Sequence, residues 1–510
     1  MEIIKNRLRH FGQLQTGTDL LEESQSILIP DTCPDVLQIV GTDGWLNIQE
    51  KSCSQGTLRI SGQVNCNICY LSTEGKTLYA VAAVIPFSFT EEVHGMDGED
   101  RLLSAVKLLS VSAVMLNPRK LVVKSQLQLV TKLYKQQKNE YTEEIRQGEV
   151  EGIYALQEKC SMQYIADIVE KRLVLSDEIR LSSDLPNEQS LILCKHCTWI
   201  CEDVKLLQGK IMLRGRIDAA MTALDHDGAY IGKSTYSIPF SQIIECDSVA
   251  AEDNVMVSFS PVREEITLST GADGVTTMYF SFAAVTECLI QKQRDLVMVQ
   301  DAYSTKWETK TTSSELASPA EGAEHQMQIS VRETILLDNS TAQILGAVVV
   351  PETAVLQKGE HTLGTAFHGT VIYKEDDGTV MTVSKRFYVE ANLPETVQTP
   401  ALCTSAVHEP AVAVTGEGEV ELTFEALLTC KEELGPVHPA IEGCTVEPIA
   451  RKRMEGSPSL IVRSAQQGES VWGLAKIYGT APDVLASANK LEPTDLFPSG
   501  RLVLIPFISR

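Results

Sequence analysis

The chain has 510 residues, a formal net charge of −24 and an ordinary apolar fraction of 43%. The length predicts roughly three or four domains with real cores, and the acidic balance excludes a nucleic-acid backbone or an anionic membrane surface as an electrostatic partner. No apolar run approaches membrane-span length, Leu78 to Phe89 being among the longest, so no membrane insertion is expected.

The opening stretch, MEIIKNRLRHFGQLQ, has neither an apolar h-region nor a cleavage pattern, and the expected location is cytoplasmic. Thirteen cysteines at irregular spacing fit a reducing compartment better than a disulfide framework. From Thr57 to Tyr70 the chain alternates cleanly. Leu58, Ile60, Gly62, Val64, Cys66, Ile68 and Tyr70 lie on one face, and polar residues lie on the other, as in a half-buried strand. Glu74-Gly75 is the turn, and Lys76 to Phe89 returns.

The block repeats. Adding 153 turns Leu58 into Ile211, Gly62 into Gly215, Val64 into Ile217, and Ile85-Pro86-Phe87 into Ile238-Pro239-Phe240, without a gap. A further 150 gives a weaker third copy, with Leu363, Phe367 and Val371 in register but Thr365 where the glycine was. Each copy ends in a second hairpin, turning at Asn117-Pro118, at Gly271-Ala272-Asp273-Gly274 and at Thr415-Gly416-Glu417-Gly418. After the last turn, Val420, Leu422, Phe424, Ala426, Leu428 and Cys430 share a face. The expected fold is mainly β: three repeated antiparallel β-sandwich or barrel-like domains at 1–140, 150–300 and 325–432, then a small βααβ module at 459–508. Polar stretches at 135–150, 303–326 and 431–458 read as linkers, the last carrying the solvated triplet Arg451-Lys452-Arg453.

The chain ends in a denser pattern. Leu460-Ile461-Val462 is strand-like; Gly468-Glu469-Ser470 then leads into a helix with Val471, Leu474, Ala475 and Tyr478 on one face. Gly479 stops that helix and Thr480 is a good N-cap for a second. Val484, Leu485 and Ala488 are its expected buried side, Asn489 its end, and Arg501 to Ile505 the closing strand.

Other stretches offer weak chemistry. Cys194 and Cys197 have zinc-knuckle spacing, but on a strand residues three apart face opposite ways, and Cys66 and Cys69 fail for the same reason. Asp225-His226-Asp227-Gly228 and Glu375-Asp376-Asp377-Gly378 look like calcium-loop fragments but fit hairpin turns better. There is no P-loop, Rossmann fingerprint, nucleophile elbow or H-E-x-x-H helix. No catalytic residue, metal site or cofactor is expected, and the protein reads as a non-enzyme.

The segment Gly468-Glu469-Ser470-Val471-Trp472-Gly473-Leu474-Ala475, with Tyr478-Gly479-Thr480, Asn489 and the stretch from Gly500 to Pro506, resembles the LysM domain. LysM domains bind N-acetylglucosamine glycans such as peptidoglycan. The resemblance implies a groove at Gly468, Glu469, Ser470, Val471, Trp472, Asn489 and Leu491. Residue by residue, Gly468 and Asn489 read equally well as turn and cap residues, and Trp472 as cover for the module's own core. Glu469-Ser470 departs from the family's Asp-Thr.

The three repeats, with Ile29-Pro30-Asp31 and Pro34-Asp35-Val36-Leu37-Gln38-Ile39-Val40 before the first, resemble SPOCS domains of spore-forming Firmicutes. Together with a LysM domain, this layout resembles spore coat morphogenetic proteins. The resemblance implies a scaffold in the mother cell, at the forespore surface or in the coat, whose LysM domain recruits the coat ATPase called stage IV sporulation protein A. The alternative is a peptidoglycan-binding protein of cortex or cell wall, acting as an adaptor for a hydrolase.

Overall fold

The computed structural model describes residues 1–54, 56–73, 77–148, 150–181, 186, 190–225, 230–317, 324–337, 342–352, 355–356, 362–376, 380–393, 400–432, 437–448 and 459–506. The alternating patterns form antiparallel strands, and the three copies share one plan. In the first, β1 (Glu2–Leu28) precedes a meander of β2 (Val36–Ser54), β3 (Thr57–Ser72) and β4 (Leu78–Glu92). The hairpin β5 (Arg101–Asn117) and β6 (Lys120–Arg146) follows, and β6 pairs back onto β1. Two three-stranded layers result, β2-β3-β4 and β1-β6-β5. They enclose a core that includes Leu58, Ile60, Val64, Phe87, Leu121 and Leu127.

The second copy repeats this with β7 (Ile153–Arg180), the meander β8 (Leu191–Leu207), β9 (Lys210–Leu224) and β10 (Tyr230–Glu245), and the hairpin β11 (Asn254–Thr270) and β12 (Thr276–Ser304). Its core includes Ile217, Ile238, Phe240, Phe280 and Phe282. The third uses β13 (Trp307–Ala317) and β14 (Glu324–Leu336), then β15 (Ala342–Pro351), the short β16 (Val355–Leu356), β17 (Thr362–Glu375) and β18 (Val380–Asn392). It closes with β19 (Pro400–Gly416), β20 (Glu419–Glu432) and β21 (Val437–Pro448). Leu363, Phe367, Phe387, Val420, Leu422 and Phe424 fill its interior. The first two copies touch edge to edge through single paired residues, Arg263 with Asn47 and Phe11 with Ile165, making one nine-stranded sheet.

The repeated glycine has a packing reason. A Cβ at Gly62 would lie 2.5 Å from the Asn47 carbonyl oxygen and 3.0 Å from the Phe87 ring. At Gly215 it would collide with the Ile200 carbonyl and lie 2.6 Å from Phe240. The third copy keeps the device four residues along: Thr365 is buried and donates to the Glu352 carbonyl, while the Phe387 ring sits 2.7 Å from a Cβ position on Gly369.

The stretches expected as linkers are in large part strand. Lys135 to Arg146 continues β6 against Glu2–Gly12 of β1, and β13 pairs with β21 along its whole length. An antiparallel ladder satisfies its backbone whatever its side chains, and only alternate residues need be apolar. The three extended ladders, one from each repeat, pack on one another. Leu8 and Tyr141 of the first meet Met162, Leu296 and Met298 of the second and Ala440 of the third. Nearby, Ile3 and Ile145 meet Val299 and Ala302, with Ile441 and Cys444. This three-ladder stalk is the hub of the molecule. The Arg451-Lys452-Arg453 triplet lies outside the described residues.

Candidate functional site

The C-terminal module folds as strand β22 (Leu460–Ser464), helix α1 (Val471–Tyr478), helix α2 (Pro482–Asn489) and strand β23 (Leu502–Pro506), with β22 antiparallel to β23. Ser470 caps α1, its hydroxyl oxygen accepting from the Gly473 N–H at 2.9 Å. Gly479 ends the helix in the left-handed region, at φ 60°. Val471, Leu474 and Ala475 are buried as expected, and Tyr478 is half-buried.

Two details of α2 differ from the sequence reading. Ala481, without a side-chain bond, occupies the N-cap, while the Thr480 hydroxyl donates to the Pro506 carbonyl at 2.6 Å. The buried side is Pro482, Leu485, Ala486 and Asn489; Val484 is half-buried and Ala488 exposed. These four buried positions are i, i+3, i+4 and i+7, but a polar asparagine holds the last, so apolarity alone misplaces the face.

The seven residues expected at the groove divide into two groups. Gly468, exposed at φ 84°, and half-buried Glu469 and Ser470 form one loop, with half-buried Leu491 in the other. The loops are stitched by the Phe497 N–H donating to the Glu469 carbonyl at 2.8 Å, the Val471 N–H to the Asp495 carbonyl at 2.9 Å, and a Ser470–Leu496 bridge. Gln466, Gln467, Gly468 and Leu496 face solvent over this seam. Arg463 bonds Glu469 and holds its carboxyl below the usual range, while the other carboxylate oxygen accepts from the Gln466 N–H.

Asn489, Val471 and Trp472 instead point into packing. The Asn489 amide donates to the Leu485 and Leu504 carbonyls at 2.8 and 2.7 Å, and its oxygen accepts from the Leu504 N–H at 2.8 Å. It pins α2 to β23 and has no free hydrogen-bonding face.

Trp472 is turned to the stalk. Its indole N–H donates to Asp301 at 2.9 Å, and its ring stands edge-on to Tyr303 with centroids 4.9 Å apart. Lys476 clasps the same carboxylate at 2.7 and 2.8 Å. The Tyr303 hydroxyl donates to the Thr480 carbonyl at 2.7 Å. Tyr154, Leu156 and Tyr303 of the second repeat thereby join the module's own core. Asp301, Tyr303 and Tyr154 carry no sequence signal, because they sit in ordinary strand alternation and meet the module only in space.

The other stretches singled out give no second centre. Cys66 and Cys69 are both buried, on opposite faces of β3; Cys69 packs against Leu78, Leu191 and Leu345, so the face expected to be polar is covered. Burial pushes both thiols up to about 12. Cys197 packs at the second core. His226 to Gly228 and Asp377-Gly378 lie outside the described residues. Among the described residues no three His, Cys, Asp or Glu converge as a metal site, and no helix is long and apolar enough to cross a membrane.

Residues 35–116 match the family model of the SipL SPOCS domain, and residues 465–504 match that of the LysM domain. No curated protein and no solved structure matches the chain. The SPOCS match falls on the meander and fifth strand of the first repeat, and the LysM match on the module just described. Neither domain belongs to an enzyme family, and the pair fits a sporulation coat protein that carries a peptidoglycan-binding domain.

Proposed function

We propose that the chain is a non-enzymatic scaffold of the spore coat, acting in the mother cell at the forespore surface, with its LysM domain recruiting the coat morphogenetic ATPase, stage IV sporulation protein A. The observation that carries this reading is the placement of the module. It is docked on a stalk built by all three repeats, and the seam at Gly468 and Leu496 is left facing solvent. A rigidly mounted recognition surface suits a scaffold, because fixed geometry lowers the ordering cost of assembly.

The test keeps the chain whole. Deleting the module would uncover Tyr154 and Tyr303 and confuse lost recruitment with lost packing. Leu496, 62% exposed, is the better site. Leu496→Glu is expected to abolish capture of the purified ATPase while leaving the melting temperature unchanged. Undiminished capture overturns recruitment through this seam.

The second reading, peptidoglycan binding, rests on the LysM match. Co-sedimentation of the whole chain with purified peptidoglycan, weakened by the same substitution, would favour it. Asn489 is a poor probe for either reading, since its amide is committed to the fold.

A further inference from the structure

The three repeats line a half-open cavity of about 570 Å³ whose wall draws on β2 and β5 of the first, β8 and β11 of the second, and β15, β17 and β18 of the third. Its volume lies within the range of small-molecule sites. Its charge is opposite to that of the chain: five cations, Lys107, Lys195, Arg263, Lys385 and Arg386, line it against two carboxylates, Asp43 and Glu264. The chain as a whole carries a net charge of −24.

Even with both carboxylates ionised, the five cations outnumber them. Burial pushes Asp43 up to about 6 and raises Glu264, which accepts from the Trp199 indole N–H at 2.8 Å. Lys195 lies 3.7 Å from the Trp45 ring centroid and donates to the Glu264 carbonyl at 3.0 Å. At the exposed rim Lys385 pairs with Glu333 and Arg386 with Glu352. The two inner cations are different. Lys107 has no carboxylate partner among the described residues; desolvation, with the Lys132 ammonium nearby, holds its amine down at about 8. The Arg263 Nε–H is buried and has no acceptor among the described residues. Leaving a half-buried cation and a buried N–H donor without partners costs stability, and no described residue pairs with either. An oxyanion would satisfy both.

We propose that this cavity binds a small organic anion carrying at least two negative charges, of the phosphate-ester or polycarboxylate class, with Lys107 and Arg263 as its inner contacts. A multiply charged anion here would also tie the three repeats together, since every repeat contributes to the wall.

The experiment uses the full chain in low-salt buffer. Pyrophosphate and citrate, each at about 1 mM, are expected to raise the melting temperature by ~3 °C over sodium chloride of matched ionic strength. Lys107→Met is expected to weaken binding by calorimetry about ten-fold or more, and to raise the melting temperature of the anion-free protein by removing an uncompensated charge. Should Lys107→Met not fold, Arg263→Met gives the same reading of affinity. A stronger response to pyrophosphate assigns the phosphate class, and a stronger one to citrate the polycarboxylate class. No shift beyond the chloride control, or an undiminished shift in both variants, overturns the proposal.

Discussion

Asp301 shows how much one side chain decides. It accepts from the Trp472 indole N–H and the Lys476 ammonium together, and it is largely covered by the module it holds. Hydrogen bonds to a charged acceptor are the strong kind, about 1.5–3 kcal/mol each. Asp301→Ala is expected to destabilise docking by about 2 kcal/mol, read as a red shift and greater quenching of Trp472 fluorescence before the β-domains unfold. Asp301→Asn, which keeps an acceptor for the indole, should fall between. Nothing in the sequence marks Asp301, because its partners lie some 170 residues away: Trp472 is separated from it by 171 positions. Asn489 is the converse. Its place in the helix-ending pattern was legible, but its three bonds to α2 and β23 were not, and they make it a fold residue.

At the scale of elements, periodicity told most. Strict alternation in Thr57–Ser72 and Glu419–Glu432 marks strands with one buried face, and those faces are the cores. Alternation does not tell what covers the other face, which is why Cys69 is buried despite its polar neighbours. The glycine under each aromatic ring was visible as a repeated residue in two copies and hidden in the third, where it moved to Gly369. Gly215→Ala should destabilise the second repeat by about 1–3 kcal/mol through overpacking against the Phe240 ring and the Ile200 backbone. The check is the urea midpoint, with exposed Gly98, which has open space around it, as the tolerant control.

For the whole molecule, the sequence predicted three β-units and a module but not the stalk. Polar composition at 303–326 and 431–458 reads as a linker, and pairing across more than a hundred residues leaves no local trace. The stalk makes the repeats interdependent. A chain ending at Glu432 would lack Ala440, Ile441 and Cys444, which pack between the other two ladders, and also the docked module. Trypsin is expected to cut such a chain faster at Lys138, Arg146 and Lys159 than the full chain, while sites within the sandwich of the first repeat keep their protection. Equal cleavage rates would show that the ladders hold without the third.

The stalk also sets a schedule during synthesis. Every ladder waits for its returning strand: β1 for β6, β7 for β12, and β13, which waits longest of the three, for β21. The ribosome adds the intervening chain in roughly ten seconds, during which β13 is an unpaired strand edge. An apolar edge left open that long would invite pairing with neighbouring nascent chains. β13 reads WETKTTSSELA, with hydroxyl side chains and a lysine through its middle. The polarity that disguises it as a linker is also what keeps it from pairing with the wrong partner until the right one arrives.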